Sequence, residues 1–217
     1  MAKVTIKTVV LIMGVAGICG CGGPQIEAPR ITGQVRRPQP TEPIVVQPAP
    51  SYNPSPTSYP PGWVPSPSRE KRWKAIIIHH SATDSGSMSV FDEYHRNGNN
   101  WDGIGYAFVI GNGRGSGDGQ VEVTYRWRDQ VPGAHCGGTP DNWANVDGIG
   151  VCLVGDFTKT RPTYRQMQAL KTLVRFLQKR YRIPTTNVYG HADTPGYTKG
   201  SVCPGRYFPM ATFKGSL

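Results

Sequence analysis

Acidic residues are scarce in this sequence of 217 residues. Only 14 Asp and Glu stand against 24 Lys and Arg, so the formal net charge is +10. A surplus of this size indicates an anionic partner, such as a nucleic acid, a membrane surface or an acidic polymer. The sequence nevertheless lacks a dense Lys/Arg run and any zinc-finger, basic-zipper or RNA-recognition signature. We therefore expect no nucleic-acid partner and favour the polyanions of a cell envelope.

A long hydrophobic run is missing as well. A membrane-spanning helix needs about 20 apolar residues, and the run Val9–Ile18 is much shorter. Lysines precede this run, and small residues with cysteines follow it, which is the pattern of an export signal. The stretch 18–21, Ile-Cys-Gly-Cys, is similar to a bacterial lipobox in which Cys21 becomes the lipid-bearing first residue. A plain signal peptide cleaved nearby is the alternative.

Residues 1–21 are therefore predicted to be a lipoprotein signal peptide. The lipid on Cys21 would hold the mature protein at a membrane of the bacterial cell envelope, outside the cytoplasm and on the periplasmic side. Residues 22–69 contain most of the 20 prolines, and a segment of this composition cannot bury enough apolar area to offset its chain entropy. We predict a Pro-rich disordered linker there, with a ligand for a proline-binding module as the alternative. Residues 70–217 remain as one domain, expected to be monomeric.

Alternating and β-branched apolar patterns predict the strands of this domain, at 73–79, 104–110, 121–125, 148–155 and 188–190. A helix is predicted to begin at the N-cap Ser89 and to reach about Arg96. A longer, amphipathic helix follows the capping box of Thr163 and Gln166 and ends before Pro184. Buried strands mixed with helices predict an α/β fold, a single domain with a central mixed β-sheet flanked by helices.

The glycine-rich run Gly111–Gly119 lacks the features of a phosphate-binding loop. It contains no Gly-Lys-Ser/Thr, and a strand rather than a helix is predicted to follow it. The run is therefore interpreted as a hairpin loop.

Cysteines are too few and odd in number for a full disulfide framework. Beyond the two in the signal, the domain has Cys136, Cys152 and Cys203. Either Cys136 and Cys152 pair and Cys203 is left over, or all three are unpaired.

Two histidines and one of these cysteines form a possible metal-ligand set. His79 and His191 each stand at the end of a predicted strand, and Cys203 lies in a loop that contains Gly and Pro. Imidazole and thiolate are preferred ligands of zinc, and a catalytic zinc site keeps three protein ligands and one open position. Strand ends and loops at one edge of a sheet are where ligands gather in α/β folds. The alternative is two ordinary histidines and a free thiol.

Six short blocks occur in an order that resembles a known family: His-His-Ser-Ala-Thr at 79–83, Ile-Gly-Tyr-Ala-Phe-Val-Ile at 104–110, Gly-Ala-His at 133–135, Ile-Gly-Val-Cys-Leu-Val-Gly-Asp-Phe at 149–157, Gly-His-Ala-Asp at 190–193 and Cys-Pro-Gly at 203–205. Over roughly residues 70–210 the chain resembles the N-acetylmuramoyl-L-alanine amidases. These are zinc amidases of type 2, related to phage T7 lysozyme and the peptidoglycan recognition proteins.

The resemblance implies that His79, His191 and Cys203 bind Zn²⁺ and that Tyr106 is the active-site tyrosine. His80 would then point to the other face of its strand. The phenol of Tyr106 would polarise the scissile carbonyl or stabilise the oxyanion, unless it is only an aromatic packed in the sheet. The implied reaction is zinc-dependent hydrolysis of the amide between N-acetylmuramic acid and L-alanine in peptidoglycan or muropeptides, for cell-wall turnover or remodelling.

The chain departs from the family pattern near the cysteine. Active members often carry Lys, Thr or Glu two residues before it, whereas this chain has Ser201, so Ser201 and Lys199 are both candidates for the second catalytic group. Trp101, Trp143 and His135 either line the substrate groove or are structural. A non-catalytic peptidoglycan-binding module is the alternative function. A zinc peptidase is disfavoured because the sequence has no His-Glu-x-x-His.

Overall fold

The structure, a computed structural model, describes residues 59–217 of the chain. The predicted signal with Cys21 and residues 22–58 of the predicted linker lie outside the described residues, so their assignments stay predictions. Each helix in residues 59–217 is too short or too polar to span a lipid bilayer.

A five-stranded sheet lies at the centre of the described residues. Its strands are β1 (Ala75–His80), β2 (Phe108–Ile110), β3 (Val121–Val123), β4 (Gly148–Leu153) and β5 (Val188–Gly190). Their order is β3-β2-β4-β1-β5, with β3 antiparallel to β2 and the other four strands mutually parallel. The carboxyl ends of the parallel strands therefore meet at one edge of the sheet, where ligand sites of such folds lie.

Helices flank this sheet, which confirms the predicted α/β fold. They are α1 (Met88–Asn97), α2 (Tyr125–Arg128), α3 (Trp143–Val146), α4 (Tyr164–Tyr181) and α5 (Met210–Gly215). Helix α4 begins with the predicted capping box, because the Thr163 hydroxyl accepts the N–H of Gln166 and the Gln166 side chain accepts the N–H of Thr163. Its apolar stripe, which includes Leu170, Val174 and Leu177, packs on one face of the sheet and forms the main core.

The N-cap of α1 is Ser87, so the prediction of Ser89 was wrong. The Ser87 hydroxyl accepts the N–H of Val90 at 3.3 Å, while Ser89 stands inside the first turn with its hydroxyl 3.0 Å from that of Ser87. Asp92, three residues after Ser89, has other partners. Its carboxylate accepts hydrogen bonds from Arg96 and from the backbone N–H of Ile104, and so ties the helix to the chain before β2.

Strand β2 is shorter than predicted, because the backbone of residues 104–106 bonds mostly to side chains and loops, and the N–H of Ala107 is the first to donate to β4, at the carbonyl oxygen of Gly150. The N–H of Gly105 donates to His95, the carbonyl of Ile104 accepts from Arg126, and the carbonyl of Tyr106 accepts from the Thr124 hydroxyl at 2.7 Å. Thr124 also caps α2, so β3 ends at residue 123 rather than 125. The ends of β1 and β4 differ from the prediction by one or two residues.

The hairpin prediction is confirmed. Strands β2 and β3 pair in antiparallel register from Phe108 opposite Val123 to Ile110 opposite Val121, and the glycine-rich run connects them. Strand β5 has the predicted bounds.

Residues 59–69, the end of the segment assigned to the linker, lie against the domain. Trp63 is only 4% exposed. Its ring packs 5.5 Å from that of Phe176 on α4, and its carbonyl oxygen accepts a hydrogen bond from the indole of Trp127 at 3.0 Å.

Candidate active site

The central strand β1 positions His79 at the carboxyl edge of the sheet. Its register partner on β4 is Cys152, and the side chain is 1% exposed. Adjacent strand residues point to opposite faces. His80 accordingly faces away from His79, as the sequence predicted. On that face its Nδ1 accepts the N–H of Phe157 at 3.0 Å.

Two loops bring His191 and Cys203 to the same place. His191 opens a short 3₁₀ turn directly after β5, so the strand end sets its position. The N–H of Ala192 donates to the carbonyl oxygen of Cys203 at 2.8 Å, which ties the two loops together. The N–H of His80 donates to Sγ of Cys203 at 3.3 Å, which holds the thiol against β1.

The three predicted ligands therefore meet. One ligand atom from each of His79, His191 and Cys203 lies within 4.8 Å of the others, and Nδ1 of His79 is 3.7 Å from Sγ of Cys203. Zinc bond lengths with tetrahedral angles require about 3.6 Å between such a nitrogen and sulfur. Nε2 of His191 is buried, and no atom among the described residues hydrogen-bonds to it. An orphaned nitrogen beside a second imidazole and a thiol fits a bound Zn²⁺.

Burial controls the protonation of these groups. It lowers the pKa of His79 well below the usual value, with the neighbouring imidazoles of His135 and His191 adding to the effect, and it also lowers the pKa of His191. Both rings are therefore neutral near pH 7 and able to donate a lone pair. Burial raises the pKa of the Cys203 thiol to about 12, although the N–H of His80 opposes this. A bound cation would convert the thiol to the thiolate.

Tyr106 lies beside the ligand group. Its ring centroid is 5.2 Å from that of His79. Burial raises its pKa well above the usual value, and the nearby thiols of Cys152 and Cys203 contribute. The phenol therefore keeps its proton at neutral pH and can donate a hydrogen bond.

A row of aromatic and imidazole rings extends from both sides of the ligand group. Starting at the exposed Trp101, the successive ring centroids are 4.8, 5.7, 5.2, 4.6 and 4.6 Å apart along Trp101, His95, Tyr106, His79, His191 and Tyr197. The sequence interpretation did not include His95 or Tyr197. His95 follows Tyr94 on a helix, and Tyr197 lies six residues after His191, so neither had a motif to mark it.

His135 is not on the groove surface, because it lies behind His79. Its Nδ1 is 3.0 Å from Nε2 of His79, and its Nε2 is 3.3 Å from the carbonyl oxygen of Gly148. Burial lowers the pKa of His135 to about 3, so the ring is neutral. The Gly-Ala-His block and the small residues of β4 were the only signals of this arrangement.

The remaining candidates have other contacts. The indole of Trp143 donates to the carbonyl oxygen of Pro195, and its ring packs near Tyr189. The Ser201 hydroxyl accepts the N–H of Cys203 at 3.0 Å, which shapes the cysteine loop. Lys199 is exposed, and its methylene groups lie over Gly138.

No cysteine pair forms in the part of the chain from 59 to 217. Cys136, Cys152 and Cys203 are all buried free thiols. Of the two possibilities that the sequence left open, the structure has the unpaired one.

The fold and site together define an α/β protein with two imidazoles and a thiol that could hold a metal at the edge of a mixed sheet, His79 and Cys203 being buried and His191 partly buried. A family model described as N-acetylmuramoyl-L-alanine amidase matches residues 69–206, and the chain belongs to this family. The match confirms the resemblance that the sequence blocks indicated.

Individual relatives agree with this assignment. The N-acetylmuramoyl-L-alanine amidase LysC from Clostridium intestinale URNW has a similar structure, with a TM-score of 0.55 and 27% identity over 66% of this chain and 84% of that chain. Peptidoglycan-recognition protein 2 from Holotrichia diomphalia is 29% identical over 140 residues, 58% of this chain and 68% of the relative. Peptidoglycan-recognition protein LB from Drosophila melanogaster is 30% identical over 141 residues, 60% of this chain and 53% of the relative. The chain thus spans about half to two-thirds of the length of these curated relatives.

Proposed function

We propose that this protein is a zinc-dependent N-acetylmuramoyl-L-alanine amidase that hydrolyses the amide between N-acetylmuramic acid and L-alanine in peptidoglycan or muropeptides. The observation that carries the proposal is the convergence of His79, His191 and Cys203, whose ligand atoms lie within 4.8 Å of one another in a chain of this family. Bound there, zinc supplies a Lewis acid and a nucleophilic water at neutral pH.

The chain's own residues have separate tasks in this proposal. His79, His191 and Cys203 hold the ion, and the N–H of His80 stabilises negative charge on the Cys203 sulfur. The protonated phenol of Tyr106 donates to the scissile carbonyl oxygen, where negative charge develops in the transition state. The rings of Trp101 and Tyr197 stand at the two ends of the ring row and provide apolar faces for the sugar or the stem peptide.

In this proposal Ser201 shapes the cysteine loop, because its hydroxyl oxygen accepts the N–H of Cys203. Its hydroxyl proton remains free to donate a hydrogen bond.

The experiment combines metal analysis with peptidoglycan digestion. Purified full-length protein is expected to contain one zinc and to release stem peptides that begin with L-alanine, identified by mass spectrometry, and a chelator should stop the release. Cys203→Ala should lose both the zinc and the activity. Cys136→Ala, which removes another buried thiol outside the ligand group, should retain both. Wild-type release by Cys203→Ala would contradict the ligand assignment.

A non-catalytic peptidoglycan-binding module is the second candidate. It is favoured by the names of the curated relatives, several of which are peptidoglycan-recognition proteins. Wild-type protein that contains zinc and sediments with peptidoglycan but releases no peptide would establish this function instead.

The proposed location is a membrane of the bacterial cell envelope, through a lipid on Cys21. The support is the lipobox-like stretch at residues 18–21. Wild-type protein and a Cys19→Ser control should enter the detergent phase on phase separation, and Cys21→Ser should not. Detergent partitioning of Cys21→Ser would contradict the lipid assignment.

A further inference from the structure

His79 uses its two ring nitrogens for different partners. Nδ1 lies 3.7 Å from Sγ of Cys203, whereas Nε2 lies 3.0 Å from Nδ1 of His135. The planes of the two imidazoles are 79° apart with centroids at 5.0 Å, so the rings meet edge-on rather than stacked. This is the geometry of a hydrogen bond between ring nitrogens.

A backbone carbonyl determines the direction of that bond. Nε2 of His135 is 3.3 Å from the carbonyl oxygen of Gly148, which can only accept a hydrogen bond. A neutral His135 must therefore carry its proton on Nε2, and its Nδ1 is a bare acceptor. The only donor for that acceptor across the 3.0 Å contact is an N–H at Nε2 of His79. The proton of His79 is then on Nε2, and the lone pair of its Nδ1 is free on the side of Cys203.

The protein holds the His135 ring tightly. Its backbone N–H donates to Oδ1 of Asn145 at 2.8 Å, and the residue is 8% exposed. The His135 ring packs directly against Gly150 of strand β4. Any side chain there would clash with the ring, since a Cβ on Gly150 would lie 2.5 Å from Cδ2 of His135. The ring has therefore no room to turn away from His79.

We infer that His135 is a positioning residue that holds His79 in the Nε2–H tautomer and so directs the Nδ1 lone pair to the metal. This inference rests on one part of the proposed function, namely that His79, His191 and Cys203 bind a metal. It does not require amide hydrolysis. Partners behind a metal-binding histidine are typically worth about 10- to 100-fold in metal affinity.

The first test needs no substitution. In ¹⁵N-labelled, full-length wild-type protein kept metal-free, long-range ¹H–¹⁵N spectra report which nitrogen of each histidine is protonated. The expected result is protonated Nε2 in both His79 and His135. A proton on Nδ1 of His79 would overturn the inference.

The second test separates hydrogen bonding from packing. His135→Phe keeps an aromatic ring but removes the acceptor, and should lower Zn²⁺ affinity about 10- to 100-fold in competition with a chromophoric chelator. His135→Asn places a carbonyl oxygen near the position of Nδ1 and should recover most of that loss. Thermal unfolding identifies any variant that has lost its fold.

The outcomes are distinct. Wild-type Zn²⁺ affinity in a folded His135→Phe protein would overturn the inference, and so would equal losses in folded His135→Phe and His135→Asn. Wild-type protein that binds Zn²⁺ with His79 in the expected tautomer, but releases no stem peptide, would refute the proposed hydrolysis while supporting the role of His135.

Discussion

Nδ1 of His79 lies 3.7 Å from Sγ of Cys203, although the two residues are 124 positions apart in the chain. Backbone hydrogen bonds hold the cysteine loop there, since the N–H of His80 donates to the sulfur and the N–H of Ala192 donates to the carbonyl of Cys203. The contact is therefore built by strand β1 and the turn after β5 rather than by flexible side chains. Rigid supports of this kind keep metal ligands in place before the ion binds.

Replacement of Tyr106 by Phe removes only the phenolic oxygen beside the ligand group. We expect a loss of about 10²- to 10³-fold in kcat, the usual effect of deleting one oxyanion donor, with unchanged zinc content. The measurement is release of stem peptide from a defined muropeptide. Tyr94→Phe is the control, because Tyr94 is 62% exposed on α1. Near-wild-type turnover by Tyr106→Phe would show that Tyr106 is only a packing residue.

Alanine at position 150 should push the His135 ring from its place. The added Cβ would lie 2.5 Å from Cδ2 of that ring, and overpacking of this kind costs about 1–3 kcal/mol. We expect a lower free energy of unfolding in denaturant and a weaker affinity for Zn²⁺. Gly215→Ala is the control, since nothing lies within 4 Å of a Cβ there. A Gly150→Ala protein that matches this control in both measurements would contradict the packing argument.

Trp63 provides a buried packing contact between residues 59–69 and the rest of the domain. Its ring is 4% exposed and packs on Phe176, and deletion of a buried aromatic side chain costs about 3–5 kcal/mol. We expect Trp63→Ala to lower the free energy of unfolding by an amount in that range. The neighbouring Val64 is 48% exposed, so Val64→Ala should have an effect below about 0.5 kcal/mol. Equal stabilities of the two variants would show that the segment does not contribute to the fold.

The stability of the fold should decrease in mild acid, in part through His95. Nδ1 of His95 accepts the N–H of Gly105 at 3.1 Å, and burial, with the charge of Arg126, lowers the pKa of the ring. The unfolded chain then binds the proton more readily than the folded protein, so the free energy of unfolding falls as the pH drops below the ordinary histidine value of about 6.5.

The measurement is denaturant unfolding between about pH 5 and pH 8 in the presence of a chelator. His95→Asn retains an acceptor near the Nδ1 position and does not titrate, so its unfolding free energy should depend less steeply on pH than that of the wild type. The other buried histidines contribute equally to both proteins. Parallel pH dependences would contradict the assignment to His95.

Local patterns in the chain were sufficient for much of the fold. The capping box of Thr163 and Gln166, the apolar stripe of α4 and the strand 188–190 depend on neighbours in sequence, and the structure has them as predicted. The predicted strand bounds were wrong where side chains distant in sequence hydrogen-bond to the backbone. Residues 104–106 leave the sheet because His95, Arg126 and Thr124 bond to them, and no local pattern contains those partners.

The candidate site was also predictable only in part. The sequence indicated His79, His191 and Cys203 as metal ligands, because such ligands need particular donor atoms at the ends of rigid elements. Only the tertiary structure showed three other features. They are the position of His135 behind His79, the unpaired state of the three thiols and the burial of Trp63. A hydrogen bond depends on the distance and direction between two atoms, and for residues far apart in sequence the packing of the whole domain sets both.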